Sequence, residues 1–213
     1  MIENIDVLAH SCIRLKTSDN KVLYFDPFMI ADAPHDADIV FLTHDHYDHY
    51  SPEDLAKVAH DKTIIVTPRT TLHSLLDKGE NEARIIAVDP CQTLDVAGIP
   101  AETVPAYNIG KDFHPRTNNW VGYVITADGK RVYVAGDTDI TPENSQVKCD
   151  IALVPVGGTY TMTASEAACL INKIHPAVAI PTHYGAIVGE KSDGTTFAAQ
   201  VDESIGVVIK LCY

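Results

Sequence analysis

Four side chains of types that can ligate a metal, His44, His46, Asp48 and His49, fall within six consecutive positions of this 213-residue chain. They follow the apolar run Ile39, Val40, Phe41, Leu42, which reads as a buried strand whose polar end opens a site. Neutral imidazole together with carboxylate suits Zn(II) and similar first-row ions. His44 and His46 alternate, so an extended or turning backbone sends both rings to one side. Asp48 and His49 come next and can turn toward a second ion close by. The ordinary alternative, a solvated His-rich turn, gives no reason for so strict a spacing.

Two further stretches end apolar runs in the same manner. Arg131 to Ala135 reads as a strand that ends in Gly136-Asp137-Thr138-Asp139, and Ala177 to Ile180 as one that ends in Pro181-Thr182-His183-Tyr184-Gly185. With the His44-x-His46-x-Asp48-His49 motif, this order resembles the metallo-β-lactamase superfamily across nearly the whole chain. The finer pattern, His10-Ser11-Cys12, Phe25-Asp26-Pro27-Phe28 and Pro155 to Gly158 before a helix, is most similar to small metal-dependent hydrolases of the ascorbate-6-phosphate lactonase type.

The resemblance implies an α/β fold, the four-layer αββα sandwich, as a single domain over residues 1–213. It also implies two divalent metal ions per chain, Zn(II) ahead of Mn(II) or Fe(II). By that likeness His44 and His46 bind the first ion, Asp48 and His49 the second, Asp137 bridges both, and His183 completes the ligand set of the second ion. The third histidine of the first ion is where the chain departs from the pattern. Relatives place it directly after the strand that here ends at Pro105, whereas this sequence continues Ala106-Tyr107-Asn108. His114 lies a few residues on and is the expected ligand, with Asn108 or a water as the alternative. His10 corresponds to a histidine that faces the site in related hydrolases, so it is expected to face substrate or transfer a proton rather than bind metal. Asp26 is read as shaping a turn, and Tyr184, Arg116, Asn118 and Gly157-Gly158 as candidate substrate contacts. His35, His60, His73 and His175 have no ligand spacing and read as surface residues.

The chemistry expected of such a site is hydrolysis of a small ester, lactone or phosphodiester by hydroxide generated at the ions, with Asp48 orienting the nucleophile and His10 acting on the leaving group. A non-catalytic metal sensor or scaffold is one alternative. A di-metal redox protein is another, disfavoured because the redox relatives carry a carboxylate where His46 stands.

These side chains need a frame, and the composition supplies one. At 46% hydrophobic the chain can bury one sizeable core. Lys and Arg number 16 against 29 Asp and Glu, giving −13, which argues against nucleic acid as a partner; the resemblance implies a small-molecule substrate instead, with homo-oligomers left open. Five scattered cysteines, an odd number, read as reduced structural thiols of a cytoplasmic protein. No apolar stretch approaches a membrane span.

Strands are expected at 5–9, 12–16, 21–25, 39–43, 63–67 and 85–88, then at 101–105, 120–126, 131–135, 151–155, 177–180 and 207–211. One helix opens at Ser51-Pro52, a second covers 69–76, and a third is launched by the capping box Thr163 to Glu166.

Overall fold

The strand rhythm of the first half folds into one sheet and that of the second half into another. The structure is a computed structural model that describes residues 1–211. The first sheet takes its six strands in chain order: β1 (Ile5–Ala9), β2 (Cys12–Lys16), β3 (Val22–Phe25), β4 (Ile39–Phe41), β5 (Ile64–Pro68) and β6 (Ile85–Val88). The second has seven, also sequential: β7 (Thr93–Val96), β8 (Ile99–Pro105), β9 (Val121–Ala127), β10 (Lys130–Val134), β11 (Ile151–Pro155), β12 (Val178–Thr182) and β13 (Gly206–Val207). Each sheet starts as an antiparallel meander and then runs parallel, from β3 to β6 and from β10 to β13.

Helices cover the outer faces, as parallel strands require. Helix α1 (Pro52–Val58) starts where the Ser51 side chain caps the Asp54 amide, and α2 (Leu72–Asp77) follows a 3-10 turn at Arg69–Thr71. Their Leu55, Val58 and Leu75 pack on Val40, Leu42 and Ile65. Helix α3 (Ala164–Ile174), started by the Thr163–Glu166 capping box, lies on the second sheet beside α4 (Asp193–Ala198). The αββα sandwich is therefore the fold.

Because alternate strand residues face opposite ways, β4 is buried on both faces: Val40 looks to α1, while Ile39 and Phe41 enter the core between the sheets. There Phe41 lies 5.0 Å from both Phe25 and Tyr123, and the Tyr123 hydroxyl donates to the Leu42 carbonyl at 2.7 Å. That bond fixes the end of β4, and so the metal-type motif, to the opposite sheet.

The sequence expectations differ from the structure mainly at the edges. Strand β7 is absent from them, since it is only four residues long and two of these, Thr93 and Asp95, are polar and exposed; the Ala97-Gly98 pair, both at positive φ, closes its hairpin with β8. Helix α4 is short, with Gly194, Thr195 and Thr196 of weak helix propensity. The strand expected at 207–211 is only Gly206–Val207. Of the cysteines, Cys12 is buried, but Cys91 and Cys169 are exposed rather than structural, and Cys212 lies outside the described residues. No described helix is long and apolar enough to cross a membrane.

Candidate metal centre

Strand ends from both sheets deliver the ligand-type side chains to one edge of the sandwich. β4 leads into His44, β10 into Asp137, β12 into His183, β1 into His10 and β3 into Asp26. Two backbone bonds lock these exits together across the sheets: the His183 amide donates to the His10 carbonyl at 2.9 Å, and the Val121 amide to the Thr43 carbonyl at 3.2 Å. Gly136, at φ +64°, lets the turn before Asp137 approach Thr43, because a Cβ there would stand 2.9 Å from the Thr43 Cβ. Gly157 does the same beneath the His183 carbonyl, which leaves no room for a side chain. Neither Gly157 nor Gly158 lines the cavity over the site, so the expected substrate contact gives way, at Gly157, to packing.

The ligand-type atoms gather in overlapping groups: His44, His46 and His114; His10, Asp48, His49 and His183; and His44, His49 and Asp137, each with its donor atoms within 4.8 Å of one another. His44 Nε2 and His46 Nδ1 stand 3.2 Å apart, while Asp45 between them points away to accept from Ser74. Asp137 sits between the groups. One of its oxygens is 3.3 Å from His49 Nε2, and the other is 3.2 Å from His114 Nε2 and 3.0 Å from His183 Nε2. His49 Nε2, His114 Nε2, His183 Nε2 and Asp137 Oδ1 are nonetheless buried without a hydrogen-bond partner. Buried polar atoms are normally paired, so donors that converge without hydrogen-bond alignment mark a place where a cation completes the set. Imidazole nitrogens and carboxylate oxygens in this ratio fit Zn(II) or a similar ion.

Three nitrogens have their lone pairs fixed from behind. Asp26, 1% exposed and at φ +45°, accepts from the Thr43 amide (2.8 Å), the Thr43 hydroxyl (2.7 Å) and His49 Nδ1 (2.8 Å). A carboxylate only accepts, so His49 keeps an Nδ1 proton toward Asp26; burial opposes charge on the ring, but Asp137 and Asp26 raise its pKa well above the ordinary value, so it is a bound cation that would take the place of the proton on Nε2. The Thr43 hydroxyl, having given its proton to Asp26, accepts from His44 Nδ1 at 2.9 Å, which leaves His44 Nε2 bare. One buried carboxylate thus orients a histidine in each group, as metal-binding histidines require. Asp26 is more than the turn former that its Phe25-Asp26-Pro27 context suggested.

His114 is mounted likewise. Its Nδ1 lies 3.0 Å from Asn108 Oδ1 and 3.2 Å from the Tyr160 carbonyl, and Asn108 also accepts from the His114 amide and donates to the Tyr160 carbonyl. The asparagine that stands nearer the end of β8 therefore spends its amide on the histidine.

Burial lowers the pKa of His44 well below its ordinary value and that of His46 less far, so both rings are neutral, as ligands must be. Burial works against the Asp137 carboxylate, but His183, His49 and His114 together hold its pKa well below the usual range. Burial likewise opposes Asp48, yet the His10 hydrogen bond and the charge of His49 bring it down to about 2.

Several expected positions fall elsewhere. His10 is fully buried, with Nε2 3.1 Å from Asp48 Oδ2, and it does not line the cavity over the site, so it does not face substrate as expected. It backs Asp48 instead. Arg116 points outward, paired with Glu143 at 2.7 Å, the Asn118 carbonyl is taken by Thr70, and Tyr184 is buried against α4. His35, His73 and His175 are exposed and His60 is partly so. Sequence reasoning missed Trp120, whose ring lies 4.9 Å from His44, 4.8 Å from His46 and 5.6 Å from His114. It is the chain's only tryptophan, a residue type that rarely stands at a strand start without packing something.

A cavity of about 260 Å³ opens above His46, Asp48, His114 and Asp137. Known proteins share this architecture. Residues 4–183 match the beta-lactamase superfamily domain. A UPF0173 protein of Pyrococcus abyssi is 31% identical over 87% of this chain and 85% of its own length. A UPF0173 metal-dependent hydrolase of Methanosphaera stadtmanae is 26% identical over 94% and 92%. A crystal structure from Parabacteroides distasonis, whose name places it among the metal-dependent hydrolases, superposes with a TM-score of 0.80 at 32% identity, covering 98% of this chain and 93% of that one. The chain belongs to the metallo-β-lactamase superfamily and, within it, to the UPF0173 family.

Proposed function

We propose that this protein is a hydrolase that uses two divalent metal ions to cleave a small carboxylic ester or lactone, with a phosphodiester as the second substrate class to test. The observation that carries the reading is the convergence of His and Asp side chains in which His49 Nε2, His114 Nε2, His183 Nε2 and Asp137 Oδ1 are buried and unpaired. The names of the Methanosphaera and Parabacteroides relatives support it. His44, His46 and His114 would hold one ion, Asp48, His49 and His183 the other, with Asp137 between them. Zn(II) suits this mixture first, Mn(II) or Fe(II) next. Such ions, when bound, supply a nucleophile from water near neutral pH and polarise the oxygen under attack.

The chain's own residues do the positioning. Asp48 reaches the cavity, and because its pKa lies near 2 it acts as an acceptor that orients the attacking group rather than as a proton store. His10 holds Asp48 through Nε2–H, and burial keeps the His10 ring neutral, with its pKa lowered to about 4. The likeness to the ascorbate-6-phosphate lactonase type puts lactones first in a screen.

The test is metal analysis of purified protein, followed by assays with lactone, thioester, phosphodiester and amide substrates with the best metal added. Hydrolysis of one class by wild type and its loss in His46→Ala is the expected result. Protein loaded with two ions that hydrolyses none of them would overturn the reading in favour of a non-catalytic metal-binding module.

A further inference from the structure

The walls of the cavity differ in kind from its floor. Above the His and Asp floor stand Tyr47, Phe113, Tyr160 and Ile187, exposed by 68, 46, 38 and 40%. Only eight large hydrophobic residues among those described are this exposed; four line the one cavity, and a fifth, Ile109, lies in the same loop as Phe113. Scattered exposed hydrophobics are ordinary, but their concentration around a concave site marks a ligand surface. The wall is also fixed in place. Phe113 precedes His114 and meets Tyr160 edge to face at 4.6 Å, and the Tyr160 carbonyl accepts from Asn108.

No lysine or arginine lines this cavity. Lys111, two residues from Phe113, is committed to Asp139 at 2.6 Å and to the Thr161 carbonyl at 2.7 Å, and Arg116 to Glu143. The start of α3, just beyond Tyr160, is closed by its own Thr163–Glu166 box. Recognition of a phosphate away from the reacting carbon needs an Arg fork, a lysine or a free helix N-terminus, and the walls offer none of these. The chain's net charge of −13 adds to the discrimination. The volume, about 260 Å³, is under twice the roughly 150 Å³ cavity that encloses a benzene ring.

We propose that the site takes a neutral substrate whose scissile carbonyl carries one compact apolar group, a single ring or a branched chain of similar bulk, and that it disfavours phosphorylated analogues. This rests on the hydrolase reading above and names its substrate class. Phe113 and Tyr160 are the specificity-determining residues.

The test uses metal-loaded protein and γ-lactones that differ only in a benzyl, hydroxymethyl or phosphorylated hydroxymethyl substituent, with the unreactive γ-lactam counterparts for calorimetry. The benzyl lactone should exceed the phosphorylated one in kcat/KM by about tenfold or more, and the benzyl lactam should bind correspondingly tighter. Phe113→Ala and Tyr160→Ala, surface changes checked for unchanged metal content, should each reduce the benzyl-to-hydroxymethyl ratio severalfold. Tighter binding of the phosphorylated lactam, or no preference among the lactams, overturns the proposal. Hydrolysis of none of the lactones by protein that still prefers the benzyl lactam would count against lactone hydrolysis alone and uphold the apolar pocket.

Discussion

Replacing Asp26 by Asn changes one atom's hydrogen-bond sign in a fully buried place and should weaken the binding of both metals. The carboxylate accepts three bonds of 2.7–2.8 Å. An amide nitrogen at the position of Oδ2 would confront two donors, His49 Nδ1–H and the Thr43 hydroxyl. The relief available is for His49 to move its proton to Nε2, the atom that faces Asp137, where it can no longer bind a cation. The Thr43 hydroxyl, then accepting from the substituted amide, would offer its proton to His44 Nδ1 and turn that ring in the same way. A hydrogen bond to a charged group contributes about 1.5–3 kcal/mol, which corresponds to about 10- to 150-fold in a binding constant. The expected loss for the ion held by His49 is therefore about 10- to 100-fold, with a smaller loss at His44. Asp26→Ala is the poorer probe: three orphaned donors at about 1–3 kcal/mol each approach the whole stability of a domain. Competition with a chromogenic chelator gives both constants, and Trp120 fluorescence reports occupancy beside His44, His46 and His114. A folded Asp26→Asn protein that binds both ions as tightly as wild type would refute the orienting role.

Thr43→Val keeps the backbone bond to Asp26 but removes the link to His44, so it should weaken only the ion reported by Trp120; loss at the other ion in a metal titration would contradict the relay. Asn108→Ala should lower affinity for that same ion about tenfold by freeing the His114 ring, and unchanged affinity would leave Asn108 a mere loop residue. Removing metal should lower the melting temperature, since free ion a thousandfold above Kd stabilises by about 4 kcal/mol; a calorimetric scan unmoved by chelator would deny the site its cations. The metal-free protein should lose stability as pH falls below about 4. Asp48 and Asp137 have folded-state pKa values below their unfolded ones, so their contribution is present above the unfolded value and vanishes on protonation. A melting temperature level from pH 5 to pH 2.5, or an Asp48→Asn variant with the same slope, would speak against ionised, paired carboxylates.

How far the site could be read in the sequence follows from the range of the interactions involved. His44, His46, Asp48 and His49 are legible because donor types that could share a cation stand within five positions of one another, and Asp137 and His183 because strand exits are visible as apolar runs ending in polar residues. The αββα order was legible for the same reason, and the weak spots, β7, α4 and the last strand, are short polar or exposed segments whose structure depends on a neighbour rather than on their own pattern. What orients the ligands was not legible. Asp26 acts on Thr43 and His49 from 17 and 23 residues away, and nothing in Phe25-Asp26-Pro27 distinguishes a turn from a buried acceptor of three bonds. Asn108 and His114 posed a choice in the sequence because each alone could be a ligand; in space they are one unit, the amide fixing the ring. His10 shows the converse error. Its place beside the motif is real, but a side chain with no exposed surface, hydrogen-bonded behind Asp48, acts on what Asp48 does and reaches substrate only through it.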